Sequence, residues 1–334
     1  MVILILKFKL NMTLLSNSDI LEKLNFNKIK FSCIKSLDGD ASNRKYFLIN
    51  QNNVINVLMY DDGLKDNIVK FSVATKVFNE YGISVPKILF KNESQGLLIL
   101  ENFGTNKYSS ILNKKNSKKL YKLAIDSLIH LHKFPASERF QNYSKEIYLD
   151  ESMLFFEWYL KYKKINLDVR LINDFKEVMI KNLDFVDSFS KVNVHRDFHI
   201  DNLFFLSTRK TFRKCGWIDY QDALIGSPVY DLMSLLEDAR RDIDNDLKKD
   251  LLNYYLEKTN NVNSEFFNIS FQIIAIQRHL KVLGIFTRLL LRDKKPNYIK
   301  HLPRVLSMIK NNLANDEFKE IRKIISDLIK TNLA

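Results

Sequence analysis

Cysteine is nearly absent. The 334 residues hold two, Cys33 and Cys215, far apart and outside any CxxC pair, which excludes a disulfide-stapled fold and a cysteine-based zinc site and points to a reduced, cytoplasmic setting. Glycine is scarce at eight residues and proline at five. Neither GxGxxG nor GxxxxGKS/T occurs, so the two common glycine-rich phosphate cradles are excluded. No Pro/Gly-rich linker divides the chain. No run approaches the roughly 18 apolar residues that a membrane span needs. The opening MVILILKFKLNM is broken by Lys7 and Lys9 and lacks a small-residue cleavage pattern, so it reads as an upstream start or a lead-in before Met12.

What is present is the composition of a folded enzyme, 46% hydrophobic and 27% charged. The net charge of +13 invites a nucleic-acid or membrane reading. The basic residues are dispersed rather than clustered, however, and Lys, Asn and Ile are abundant throughout. Neither nucleic acid nor membrane is therefore an expected partner, whereas an anionic small substrate such as a nucleotide fits the charge.

The hydrophobic pattern divides the chain. After a lead-in and helix over 1–30, the β-prone runs FSCIKSL, KYFLIN and NVINVLMY follow one another. A helix ending near Gly82 comes next, then PKILF and LLILEN. Residues 31–103 thus form a small β-rich lobe with one inserted helix. From Ser117, read as an N-cap, the period changes to 3.6, with Leu120, Leu123, Ala124, Leu128 and Leu131 on one face. Further helices are expected over about 150–163 and 171–187. Three short strands, VNV, LFFL and CGWID, interrupt this helical region of 104–334. The fold class is α+β, two lobes joined by a short hinge near ENFGTNKY.

Between the first two of those strands, VHRDFHIDNLFF concentrates two histidines, two aspartates, an arginine and an asparagine. A zinc site through His195 and His199 needs a helix and a glutamate directly after the first histidine, where Arg196 stands. Phosphoryl transfer fits better. It requires one carboxylate near the accepting hydroxyl and oxygen ligands for Mg²⁺ on the phosphates, and His195-x-Asp197-x4-Asn202, followed by Asp219, supplies them in the order of kinase-like folds. His195 is expected to orient the loop through backbone hydrogen bonds.

The stretch from VNVHRDFHIDNLFF through CGWIDYQDALIGSPVYDLMSLLEDAR resembles the aminoglycoside phosphotransferase family, small-molecule kinases with the protein-kinase fold. GDASNRKYF, IDYQDALIGSPVYDL and QRHLKVLGIFTRL with LPRVL closely resemble its anomeric N-acetylmuramate/N-acetylglucosamine kinases of bacterial cell-wall recycling. The resemblance covers roughly residues 37 to 310. It implies that Asp197 is the catalytic aspartate, that Asn202 and Asp219 hold Mg²⁺, and that backbone groups around Glu101 and Phe103 meet the adenine of ATP. Asp231 is expected to brace the loop.

The sequence also departs from the kinase pattern. Gly39 is the only glycine where a phosphate-covering loop should lie. Met59 stands about where a kinase lysine would sit, which leaves Arg44 or Lys45 as the nearest cation for the phosphates. Tyr220 and Gln221 replace the Phe-Gly of the metal-binding triplet. On the helix around Arg278, that residue, Lys281, Arg288 and Arg292 share one sector; Arg278 is the expected contact to an acidic sugar. The reading is an ATP-dependent sugar kinase, with another small alcohol as acceptor, or a nucleotide-binding pseudokinase, as alternatives.

Overall fold

A computed structural model describes residues 18–37, 44–61, 65–259 and 263–329. The first helix, α1 (Ser18–Phe26), leads into a five-stranded antiparallel sheet: β1 (Cys33–Leu37), β2 (Lys45–Gln51), β3 (Val54–Tyr60), β4 (Ile88–Asn92) and β5 (Leu97–Leu100), in the order β1-β2-β3-β5-β4. The β2–β3 turn consists of Asn52 and Asn53, both at positive φ (50° and 65°). Asparagine tolerates that conformation, and its twist matches that of the paired strands.

Alternation along β2 separates two faces. Phe47 and Ile49 pack with Ile20 and Leu24 of α1 under the outer face. Tyr46 and Met59, paired across β2 and β3, face the main core. Helix α2 (Lys65–Glu80) lies between β3 and β4 in sequence and contributes Phe71, Ala74 and Phe78 to that same core.

The remainder is mainly helical: α3 (Ser117–Leu131), α4 (Lys145–Leu154) running into a π-helical turn (Phe155–Leu160), α5 (Val169–Asp187), α6 (Val229–Leu236), α7 (Asn245–Thr259), α8 (Ser264–Leu291), α9 (Leu302–Leu313) and α10 (Lys319–Ile329). Two small antiparallel pairs carry the loops of interest, β6 (Val192–Val194) with β9 (Leu224–Gly226), and β7 (Leu203–Phe205) with β8 (Cys215–Trp217). Strand β9 is missing from the sequence reading, although it is as long as β6, β7 and β8. The cap of α3 is Asn116, with Ser117 already helical.

Helix α8 is apolar almost all round, the mark of a central helix. It is long and apolar enough to cross a membrane, yet 83% of its most apolar stretch is buried inside the protein. Gly284 allows it to touch α4: a Cβ there would lie 2.3 Å from the Leu154 carbonyl carbon. This close crossing fixes which face of α8 turns toward the β6–β7 loop.

Candidate active site

The β6–β7 loop is held from three sides. Asp231, in the first turn of α6, accepts from the backbone N–H of His195 at 2.6 Å and of Arg196 at 3.0 Å. Burial pushes its carboxyl up to about 7, against the two amides that favour the charge. His195 Nε2 lies 3.0 Å from the Ile218 carbonyl, so this nitrogen carries the hydrogen. Burial lowers its pKa to about 4, which makes it a neutral strut. Asn202 donates Nδ2 to the Asp197 backbone carbonyl at 2.9 Å, while its own backbone carbonyl accepts from Ile218 N–H at 3.0 Å. With Nδ2 so committed, the planar amide leaves Oδ1 as the atom available to a cation.

At this site Arg196 (φ 75°) and Asp219 (φ 62°) adopt left-handed backbone conformations. Such strain persists only where surrounding contacts over-determine it. Arg196 is gripped by Glu151 and by the Asp222 carbonyl at 3.2 Å, and lies 5.2 Å from the centre of the Tyr143 ring. That grip turns the next side chain, Asp197, outward; it remains 47% exposed.

Asp197 faces cations from α8. Arg278 Nη2 stands 3.4 Å from its Oδ1, while Arg278 Nη1 donates to the Arg196 carbonyl at 2.9 Å and to the Tyr230 hydroxyl at 3.0 Å. Lys281 donates to Glu151 at 2.8 Å. Its partly buried position pushes the Asp197 carboxyl up, but Arg278 and then Lys281 outweigh this and hold it well below the usual carboxylate range. Asp219 moves the other way. Burial and then the Asp197 charge raise it, opposed by a hydrogen bond from Gln221 Nε2 at 3.1 Å and by Arg44. Two carboxylates close enough to repel each other, with cations around them, offer oxygen ligands of the kind a hard cation takes while it keeps part of its coordination for phosphate. Among the described residues no three His, Cys, Asp or Glu side chains converge into a closed metal cage.

Arg44 enters from the sheet side, its Nε 3.4 Å from Asp61 Oδ2 and its Nη1 3.9 Å from Asp219 Oδ1. Lys45, one residue on, projects from the opposite face of β2, its ammonium 5.8 Å from the centre of the Tyr60 ring on the α1 side. The structure thus brings Arg44 to the carboxylates and keeps Lys45 away from them. Gly39 lies outside the described residues. Glu101 and Phe103 follow β5: Glu101 pairs with Arg209 at 2.8 Å, and the Phe103 ring sits edge-on to Phe204 at 6.1 Å. The hinge is thereby packed onto the β7–β8 hairpin. A Cβ on Gly216 would come within 2.8 Å of the Phe103 ring. Tyr220 is fully buried against α2, its hydroxyl 2.8 Å from Thr75 Oγ1 and its ring 5.1 Å from that of Phe71.

Sequence reasoning missed Glu151 and Tyr46. Glu151 ties Arg196 to Lys281 from a helix 46 residues upstream of Asp197, with no local signal. Tyr46 was findable, since alternation puts it on the face opposite Lys45. Burial and then Asp219 push its pKa up to about 12. A cavity of about 620 Å³ lined by Glu237, Lys248, Phe271, Gln272, Arg304 and Asn312, among others, shares no residue with the Asp197 loop.

With this geometry in hand, comparison with known proteins is informative. Residues 34–263 match the phosphotransferase enzyme family. The chain belongs to that family. It is a small-molecule kinase that acts on a sugar or alcohol. A relative from Neisseria meningitidis named N-acetylmuramate/N-acetylglucosamine kinase is 30% identical over 292 residues, covering 81% of this chain and 83% of its own length. A relative of the same name from Caulobacter vibrioides is 28% identical over 237 residues; the match spans 68% of this chain and 65% of that protein. The ADP-bound crystal structure of an aminoglycoside phosphotransferase superposes with a TM-score of 0.61 at 18% identity, covering 88% of this chain and 99% of the other. The fold of this kinase is the two-lobed, protein-kinase-like one.

Proposed function

We propose that this kinase transfers the γ-phosphoryl group of ATP to the anomeric hydroxyl of N-acetylmuramate or N-acetylglucosamine, a cytoplasmic step of cell-wall recycling. The observation that carries the reading is Asp197, kept ionised by Arg278 and Lys281 while it faces Asp219. The acceptor oxygen attacks the γ-phosphorus. As that O–P bond forms, the bond from phosphorus to the β,γ-bridging oxygen breaks, the hydroxyl proton passes to Asp197, and ADP leaves. A carboxylate held so far below its usual range is a weak base. Loose phosphoryl-transfer transition states ask chiefly for orientation of the hydroxyl, and an anomeric hydroxyl is more acidic than an ordinary sugar alcohol.

Backbone groups at Glu101 to Phe103 would meet the adenine, and Arg44 would take phosphate charge in place of the kinase lysine. Asn202 Oδ1 and the Asp219 carboxylate would hold Mg²⁺, which when bound neutralises charge on the phosphates. Both of those groups are oriented by the loop's own hydrogen bonds.

The acceptor side argues against a cationic alcohol. Arg196, Arg278 and Lys281 crowd Asp197, and a choline or aminoglycoside would meet like charge there, whereas a neutral or anionic sugar would not. The names of the relatives from Neisseria meningitidis and Caulobacter vibrioides support the same choice. The test is incubation with ATP and each sugar, followed by assignment of the phosphate position by phosphorus-coupled NMR. A 1-phosphate is expected. Phosphate on O6, or turnover of only choline or an aminoglycoside, would reject the amino-sugar reading and leave the kinase assignment standing.

A further inference from the structure

Among the cations around the catalytic loop, most have strong partners. Arg278 divides its donors among the Arg196 carbonyl, the Tyr230 hydroxyl and Asp197, and its side chain is 9% exposed. Lys281 and Arg196 both bind Glu151. Arg304 pairs with Asp242 through two bonds, 2.6 and 2.8 Å.

Arg240 differs from these. It lies on the segment between α6 and α7, and its guanidinium reaches the catalytic loop two and four residues beyond Asp197. There Nη1 is 3.4 Å from His199 Nε2, and Nε is 3.8 Å from Asp201 Oδ2. The first contact is at the long edge of hydrogen bonding, to an imidazole that burial and then Arg240 itself hold well below its ordinary pKa. The second is an ion pair beyond hydrogen-bond reach. The side chain is 27% exposed, so a ligand can approach without displacing protein. It rests over the buried Phe286 ring, 5.8 Å from its centre, and the His301 ring lies 5.9 Å from that same centre. His301 Nδ1 faces Arg304 Nη1 at 3.2 Å and accepts from it. Burial, then Lys300 and Arg304, lower the His301 pKa, so the neutral ring carries its hydrogen on Nε2.

A planar guanidinium with only long contacts on the catalytic loop, packed on the same Phe286 ring as the His301 imidazole and close enough to offset the burial of Asp238, matches a carboxylate on the acceptor. We propose that Arg240, assisted by His301 over the Phe286 ring, is the subsite for an anionic substituent of the sugar, and that it selects carboxylate-bearing N-acetylmuramate over neutral N-acetylglucosamine. This inference rests on the amino-sugar reading above, and it moves the acidic-sugar contact expected of Arg278 to a residue with looser partners.

The experiment compares kcat/KM for the two sugars in wild type and in Arg240→Gln and Arg240→Lys, with thermal melting to establish folding. Arg240→Gln is expected to lower kcat/KM for N-acetylmuramate about 10- to 100-fold more than for N-acetylglucosamine, the range for loss of charge-assisted hydrogen bonds. Arg240→Lys should restore part of the preference, because charge remains while the fork is lost. Equal losses for both sugars would mean that Arg240 merely supports His199 and Asp201, and no loss for either would place the subsite elsewhere; each overturns the proposal. Should wild type turn over neither sugar, the amino-sugar reading has failed, and the subsite is decided by thermal shift with N-acetylmuramate. Stabilisation that disappears in Arg240→Gln upholds it, and an identical response in wild type and variant overturns it.

Discussion

Replacing Arg278 with Gln should move the acidic limb of the pH–rate profile. At 3.4 Å from Asp197 Oδ1, a full positive charge at an effective dielectric of 20 interacts by about 5 kcal/mol. Nearly half of the Asp197 side chain is exposed (47%), so solvent screening reduces this to about 1–2 kcal/mol, on the order of one pKa unit. The sign follows from which form is stabilised. Arg278 favours the carboxylate, so Asp197 stays ionised down to well below the usual carboxylate range, and its own capacity to take the proton is lost only as pH falls through that depressed value. Without Arg278 the partial burial that pushes the group up is less opposed, though Lys281 still lowers it. The limb that reports Asp197 should stand roughly one unit higher in Arg278→Gln than in wild type, apart from any limb set by Asp219 or Asp231, which both titrate above it. The assay is kcat/KM against pH for both amino sugars with saturating ATP, over the range in which circular dichroism shows the variant folded. Both sugars should lose rate together, because a positioning residue acts through Asp197 whatever the acceptor. An unmoved acidic limb combined with a selective loss for N-acetylmuramate would refute this reasoning and make Arg278 a substrate contact.

Three further outcomes follow from the same geometry. Asp197→Asn should keep nucleotide binding, read by fluorescence titration, while turnover falls by roughly 10²-fold or more; near-normal turnover would remove Asp197 from its role. Asp219→Ala should raise the Mg²⁺ requirement and lower activity together, with Asn202→Ala acting similarly but less, because a neutral oxygen is lost rather than a charged one; Mg²⁺ titrations that match wild type would show the metal site to be elsewhere. Arg44→Ala should raise the apparent KM for ATP several-fold while Lys45→Ala changes little, since only Arg44 reaches Asp219; equal effects would mean that the phosphates are held by other groups.

Much of this site was legible in the sequence because phosphoryl transfer places its groups at fixed offsets along one chain segment. The offsets His195-x-Asp197-x4-Asn202 and the later Asp219 can be read along the chain without knowing the surrounding helices, so composition drift toward Lys, Asn and Ile did not hide them. The two lobes were legible for a similar reason, since period-2 and period-3.6 patterns occupy separate halves. What stayed hidden is whatever depends on contacts between distant segments. The basic sector on α8 was visible as a stripe, but nothing local says that Arg278 and Lys281 are buried while Arg292 pairs with its neighbour Asp293 in solvent. Helical geometry gives the direction of a side chain relative to its axis, and the rotation of the axis is set by packing, here by Gly284 against Leu154. The same limit explains Lys45. As an isolated charge beside Arg44 it looked equivalent, yet period-2 alternation sends the two to different surroundings, and Phe47 and Ile49 already marked which face belongs to α1. The missing kinase lysine follows from this arrangement. Met59 faces the core from the strand where a lysine would stand, and the cation that approaches Asp219 comes instead from Arg44, at the residue just before β2, so on the proposed reading the phosphate charge would be met from the rim of the sheet rather than from its centre.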